Sequence, residues 1–133
     1  MFHRSALIIL FLFFFGAKTE GQEIDSLEAL LKGKPGTERL ALLHELTWAY
    51  MDSRKNSLAL SSAREGYQLA VELGDSLMAV KNARTIASVM RRLGEIDSAI
   101  FLYKTLLPII KRNGYSKMIV PVLNGLALSY SDK

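Results

Sequence analysis

Three basic residues in the middle of the chain have a spacing that would let them bind an anion together. Lys81, Arg84 and Arg91 are three and seven positions apart, which places them on one face of a helix. Guanidinium and ammonium groups bind carboxylates through charge-assisted hydrogen bonds, and Trp48 could supply an apolar anchor. The pattern predicts a site for a carboxylate or an acidic peptide. The alternative is a solvated basic face with Trp48 packed against its neighbours.

No other residue combination completes a catalytic or cofactor motif. His44-Glu45 begins like a zinc-protease helix, but Trp48 stands where the second histidine is required. Gly33-Lys34 lacks the remaining residues of a phosphate-binding loop. The chain has no cysteine, which excludes thiolate metal sites and cysteine nucleophiles. We therefore predict a protein with no enzyme activity, no metal and no cofactor.

The elements that carry these residues repeat at a fixed spacing of 40. Matching residue types recur in columns, and self-similarity at this period is typical of repeat proteins. The columns are Leu40, Val80 and Val120; Leu43, Ala83 and Leu123; Leu46, Ile86 and Leu126; Thr47, Ala87 and Ala127; Tyr50, Met90 and Tyr130; Ala59 and Ala99; and Ala63 and Tyr103.

The spacing of apolar residues within the columns predicts helices joined by short turns, and no segment alternates as a strand does. Residues 22–36 form a lead-in helix and linker, with Asp25 and Glu28 as a capping box. The repeat region at 37–133 divides into units 37–76, 77–116 and an incomplete 117–133. The predicted fold is all-α: an α-solenoid of antiparallel helix pairs, with two full repeats plus the first helix of a third.

The columns resemble the tetratricopeptide repeat family, which places a large, a small and an aromatic residue on its first helix. Leu46-Thr47-x-x-Tyr50, Ile86-Ala87-x-x-Met90 and Leu126-Ala127-x-x-Tyr130 carry that resemblance, followed by Gly94, Ala99 and Tyr103 in the second unit. Two features depart from the family: Arg54 stands in the glycine position, and the unit is longer than is usual there. HEAT and armadillo repeats have units of this length, but the Ala-Tyr pattern around Gly94 argues against them.

The resemblance implies that the first helix of each unit lines a groove for a peptide. The groove-facing positions, by their phase in the repeat, are His44, Glu45, Trp48, Met51, Lys81, Arg84, Ser88, Arg91 and Asn124. The three basic residues would then receive an acidic group of a protein or peptide partner.

The N-terminus predicts export. Arg4 precedes an apolar run from Ala6 to Phe15 that is too short to span a bilayer, and small residues follow it. We predict a signal peptide at 1–21 and a periplasmic or cell-envelope location; the alternative is an uncleaved membrane anchor. The net charge of +4 is too mild and too evenly spread to indicate a nucleic-acid partner.

The predicted function is an exported scaffold for protein–protein or peptide binding. By family resemblance, such repeats often precede a membrane helix and a signalling output domain. Two and a half repeats are fewer than repeat proteins usually need, so we expect a fragment of a longer signalling protein. The alternative is a stand-alone envelope scaffold or assembly protein that self-associates through its open C-terminal repeat.

Overall fold

The computed structural model describes residues 19–133, which are helical apart from short turns, and no strand occurs in that range. Each helix packs against the next along the chain, and the fourth also contacts the sixth. The prediction of an all-α protein is confirmed. The six helices are α1 (Glu20–Leu31), α2 (Gly36–Asp52), α3 (Asn56–Glu72), α4 (Ser76–Arg92), α5 (Ile96–Asn113) and α6 (Ile119–Ser131), with a 3-10 turn at Ser116–Met118 before α6.

Helix α1 begins earlier than the sequence pattern predicts. The Thr19 hydroxyl accepts a hydrogen bond from the Gln22 N–H at 3.2 Å, and the Gln22 side chain accepts one from the Thr19 N–H at 3.1 Å. This reciprocal pair is a capping box, so the one predicted at Asp25 and Glu28 is wrong. The predicted signal peptide lies outside the described residues up to position 18, and residues 19–21 form the cap and first turn of α1.

The turns after α2, α3, α4 and α5 are evenly spaced along the chain and share one backbone conformation. A residue with positive φ occupies the same place in each turn, and the N–H of the next residue donates to the carbonyl five positions earlier at 2.8 to 3.0 Å. This hydrogen bond closes a helix end around a left-handed residue. The residues are Arg54, Gly74, Gly94 and Gly114. One period of the sequence repeat therefore corresponds to two helices and two such turns.

The predicted columns form the core over the first two units. Leu40, Leu43 and Leu46 are at most 3% exposed, and their partners one period later on α4 are also buried. Ala59 and Ala99 have no exposed surface. Small residues allow helix backbones to approach closely, and the larger side chains fill the space beside them.

The same columns are largely exposed on α6. Val120 is 64% exposed, and Leu123 and Tyr130 are close to half exposed. Helix α6 instead buries Ser129 and Val122, and Val122 packs in one cluster with residues of α4 and α5. The face of α6 that corresponds to the face of α4 covered by α5 is thus open in the described chain. We call Val120, Leu123, Ala127 and Tyr130 the open face.

Candidate basic cleft

Side chains from α2 and α4 meet around the single tryptophan. The Arg84 guanidinium lies 5.9 Å from the centre of the Trp48 ring, which is 37% exposed. The His44 ring meets the same ring edge-on, with the two ring centres 6.4 Å apart at 78°. A guanidinium over an indole face is a favourable cation–π arrangement. The structure thus brings together three of the residues that the sequence proposes for the groove.

Positive charge dominates the surroundings of His44. Burial, and then the nearby charges of Lys81 and Arg84, lower the pKa of His44 below its usual value, while Glu45 opposes the shift. Lowering this pKa favours the neutral imidazole at pH 7. The cationic groups at this end of the surface are therefore Lys81 and Arg84, and an anion bound here would raise the pKa of His44 again.

Three further residues proposed for the groove line one cleft between α4 and α6 together with Arg84. The cleft has a volume of about 330 Å³ and includes the hydroxyl-bearing ring of Tyr103 at its base. Arg84 contributes to both this cleft and the tryptophan cluster, so the two are continuous. We call the combined surface the basic cleft. The residues that the structure brings together in the cleft are Arg84, Ser88, Arg91 and Asn124.

The two arginines of the cleft differ in their partners. Arg91 donates to the Asp132 carboxylate with an N–O distance of 2.6 Å, which largely neutralises its charge locally. The Arg84 Nε is buried, and within residues 19–133 it has no hydrogen-bond partner. A buried donor without a partner is costly, because nothing replaces the water it has lost. Arg84 also forms no ion pair among the described residues, so its guanidinium, unlike that of Arg91, keeps its charge for an incoming acceptor.

Tyr103 reaches the cleft because α6 has a glycine where the ring crosses it. A Cβ at Gly125 would lie 2.3 Å from the Tyr103 Cζ and 2.5 Å from its hydroxyl oxygen. Burial raises the pKa of Tyr103, and polar contact with Ser88 and the charges of Arg91, Arg84 and Arg92 oppose the shift. The phenol stays protonated at neutral pH and offers a further donor beside the arginines.

The remaining predicted residues lie at different depths. Met51 is 3% exposed and packs in the core between α1 and α2, and its carbonyl accepts a hydrogen bond from Arg92 at 3.0 Å. Its side chain does not line the basic cleft. Glu45 and Asn124 are exposed, and Lys81 is half-buried.

Sequence reasoning missed the contributions of Tyr103, Gly125 and Asp132. In the sequence, Tyr103 stands out only as the column partner of Ala63 and as part of the repeat pattern. Two columns together could have indicated the contact between Tyr103 and Gly125. One period along the chain, Ala63 is replaced by the larger Tyr103, and Thr85 is replaced by Gly125, which has no side chain. Within residues 19–133, no group of three His, Asp or Glu side chains is arranged to hold a metal ion.

No family model matches this chain, and no curated protein matches it.

Proposed function

We propose that this chain is an α-solenoid of the tetratricopeptide type, an exported scaffold that catalyses no reaction and binds a protein or peptide partner through the basic cleft. The evenly spaced turns and the buried small residues of the first two units support the helix-pair architecture. In this interpretation α2, α4 and α6 are the first helices of successive units, and the cleft lies on the surface they share.

The observation that carries the proposal is the unsatisfied Arg84. Its Nε is buried without a partner among the described residues, its guanidinium lies over Trp48, and Ser88 and the Tyr103 hydroxyl are in the same cleft. A carboxylate entering here would find a cation and neutral donors, while the indole would contact an adjacent apolar side chain. The partner is therefore a peptide segment that presents an acidic group next to an apolar residue.

The single tryptophan provides a direct test. We expect the fluorescence of Trp48 to change on titration with a short peptide that ends in an apolar residue with a free carboxylate, and the change to be much smaller with the same peptide amidated. Arg84→Gln should weaken binding about tenfold, because a charge-assisted hydrogen bond is worth roughly 1.5 to 3 kcal/mol. Arg64→Gln is the matched control, since Arg64 is exposed on α3 and outside the cleft.

Equal affinities for the free and amidated peptides, or equal affinities of the Arg84→Gln and Arg64→Gln variants, would contradict the proposal. The lowered pKa of His44 provides a second measurement: acidic peptides should bind more tightly as the pH falls and the imidazole gains a proton.

The location and context are also part of the proposal. The charged start and the short apolar run that ends at Phe15 support export. Within residues 19–133, no helix is long and apolar enough to cross a bilayer. N-terminal sequencing of the protein recovered from the envelope fraction of cells that produce the full chain tests the proposed cleavage before Gln22. Retention of Met1 would favour a membrane anchor instead.

The open face supports two forms of this scaffold. In the first, the chain is the N-terminal sensory part of a longer signalling protein, and a further helix packs on Val120 and Leu123. In the second, the chain is a stand-alone envelope scaffold that self-associates there. Sedimentation of a protein comprising positions 1–133 separates them: a dimer that Leu123→Gln dissociates favours the second form, and a monomer in both cases favours the first.

A further inference from the structure

A carboxylate of the protein itself is bound to one of the two arginines of the basic cleft. Asp132, which follows α6, accepts a hydrogen bond from the Arg91 Nη1 at 2.6 Å. Leu128, one helical turn before Asp132, lines the cleft beside Arg91. An acidic group of this chain is therefore already bound on the surface where the proposed function places an acidic partner.

The contact between Arg91 and Asp132 has an equivalent one period earlier. Arg92 donates to the Met51 carbonyl at 3.0 Å, and in both contacts the two residues are 41 positions apart. Each contact joins the end of α4 to the end of another helix, α2 in one case and α6 in the other. The earlier contact uses a backbone carbonyl, which has no net charge. Such a link between helices can thus form without a carboxylate, so the charge of Asp132 is not required for it.

The two arginines of the cleft are far enough apart to bind two acidic groups. Arg84 and Arg91 are seven residues apart on α4, which corresponds to roughly 10 Å along a helix axis. An extended peptide covers about the same length in three residues. A peptide with its terminal carboxylate at Arg84 could therefore bring an acidic side chain, three residues before its last residue, to Arg91.

The ion pair with Asp132 makes the second of these positions unfavourable for a partner. A second acidic group would have to displace the Asp132 carboxylate from Arg91, which exchanges one ion pair for an equivalent one. Asp132 belongs to the same chain as Arg91, so it competes at a high effective concentration. An acidic group that did not displace it would be repelled by its charge. Within residues 19–133, Arg84 has no such competitor.

We propose that Asp132 determines the charge specificity of the basic cleft, by restricting the partner to a segment with a single acidic group that binds at Arg84. This inference rests on the proposed function, because it concerns the same cleft and the same class of peptide. Arg91 then serves as the counter-ion of Asp132 and makes no ion pair with the partner.

The test uses the whole chain and two peptides that end in an apolar residue with a free carboxylate. The peptides differ only three positions before the last residue, where one has glutamate and the other has glutamine. The fluorescence of Trp48 measures both affinities. The wild type should bind the glutamate peptide no more tightly than the glutamine peptide. Asp132→Asn should bind the glutamate peptide about tenfold more tightly, the lower end of what a charge-assisted hydrogen bond contributes.

Two control variants separate the charge of Asp132 from other effects of changing it. Asp132→Glu keeps the carboxylate and should retain the selectivity of the wild type. Asp97→Asn also removes one carboxylate, which pairs with Lys133 at 2.9 Å and does not line the cleft. It should leave the relative affinity for the two peptides unchanged.

Arg91→Gln gives a second and independent prediction. It leaves Asp132 without its counter-ion, so the glutamine peptide should bind about twofold more weakly, the repulsion expected for two unit charges about 10 Å apart in water. Adding Asp132→Asn to this variant should restore the wild-type affinity for that peptide. If the ion pair only held α4 and α6 together, each single variant would weaken binding and the double variant would bind no better than either.

The results distinguish this inference from the proposed function. If Arg84→Gln weakens binding of the glutamine peptide but Asp132→Asn shows no preference for glutamate, the role of Asp132 is overturned and the proposed function stands. A wild type that already prefers the glutamate peptide tenfold would overturn the role of Asp132 in the same way. If neither peptide binds to the wild type or to Asp132→Asn, both proposals are overturned.

Discussion

The junction between α3 and α4 and the junction between α5 and α6 are related by one period of the repeat, yet different side chains fill them. The first places Gly66 against the buried amide of Asn82, whereas the second places Leu106 and Val122 in one apolar cluster. All four residues are buried, although their sizes and polarity differ between the two junctions. The repeat therefore predicts which positions are buried, while the chemistry between the helices differs from one junction to the other.

The two junctions also differ in a second pair of residues, whose side-chain sizes are reversed. Tyr103 on α5 meets Gly125 on α6, and the corresponding residues one period earlier are Ala63 and Thr85. The large ring at the second junction carries a hydroxyl into the basic cleft. The small residues near the first junction, Ala70 and Ala79, line a cavity of about 610 Å³ beside it. The cleft and this cavity thus both arise where one unit departs from the other.

The largest expected effect comes from closing the space that Tyr103 uses. In Gly125→Ala, the new Cβ would meet a ring that is 2% exposed and has little room to move. Overpacking of this kind costs about 2 to 3 kcal/mol of unfolding free energy, even after the gain from alanine's helix propensity. Urea denaturation followed by circular dichroism measures it. Gly21→Ala in α1, compared with the wild type in the uncleaved chain, is the control, because nothing lies within 4 Å of its Cβ.

The residue pair at the first junction, Ala63 and Thr85, suggests a double variant that should recover part of the lost stability. Tyr103→Ala combined with Gly125→Thr reproduces Ala63 and Thr85, and the double variant should lose at least about 1 kcal/mol less than the two single losses together. Strict additivity would show that the two junctions are not interchangeable.

The next effect uses two tyrosines of one column. The Tyr50 hydroxyl donates to the Glu28 carboxylate at 2.5 Å, and burial, with this carboxylate, raises the pKa of Tyr50 to about 12. The native state then holds a proton that the unfolded chain releases near pH 10, so stability falls as the pH rises from 10 to 12. The loss is on the order of 2 kcal/mol at the end of that range.

The measurement is the unfolding free energy of the wild type and Tyr50→Phe between pH 8 and 12. The stability advantage of the wild type should be complete below pH 10 and shrink above it. Tyr130→Phe is the control, since Tyr130 occupies the same column but is 47% exposed. A pH dependence unchanged by Tyr50→Phe would mean that the hydrogen bond to Glu28 does not form.

Gly66→Ala tests the polar junction and should cost less than Gly125→Ala. The new Cβ would lie 2.7 Å from the Asn82 Oδ1, the end of a side chain that can rotate. Rotation would strain the hydrogen bond that the Asn82 Nδ2 donates to the Met78 carbonyl at 2.9 Å. Asn82 is only 1% exposed, so water cannot easily replace that partner. We expect a loss of about 1 to 2 kcal/mol in urea denaturation. A loss as large as that of Gly125→Ala would show that the amide is held rigidly.

Much of the helical framework was predictable from local chemistry. Gly74, Gly94 and Gly114 end helices because glycine adopts positive φ without strain, and the columns of the repeat identify core residues such as Leu43 and Val80. The start of α1 was not predictable in the same way, because Thr19 and Asp25 are both good caps and only the packed helix shows which one is used.

The sites were predictable only in part. The spacing of Arg84 and Arg91 places them on one face of a helix, and both line one cleft in the structure. An ion pair makes the two arginines different. The Asp132 carboxylate, which follows α6, neutralises the charge of Arg91 on α4. Two helices separate these residues along the chain, so the sequence does not show the pairing. The cavity beside Ala70 and Ala79 depends on small residues from two helices, so no local pattern could have revealed it. The open face was not predictable either. Its residues belong to apolar columns, but a column does not show whether another helix covers them.

The smallest predicted effect concerns the one turn of the four that lacks glycine. Arg54 has φ of +59°, where Gly94 one period later has +85°. A side chain in the left-handed region costs roughly 1 kcal/mol, and Arg54 is exposed, so Arg54→Gly should raise the unfolding free energy by about 0.5 kcal/mol after the entropy that glycine adds to the unfolded chain. The reverse change, Gly94→Arg, meets no atom within 4 Å of its Cβ and should lower the unfolding free energy by about 1 kcal/mol. Differential scanning calorimetry of both variants decides whether the two turns are equivalent: opposite shifts in melting temperature establish it, and a loss of stability in Arg54→Gly would reveal that the arginine side chain holds the first turn by contacts of its own.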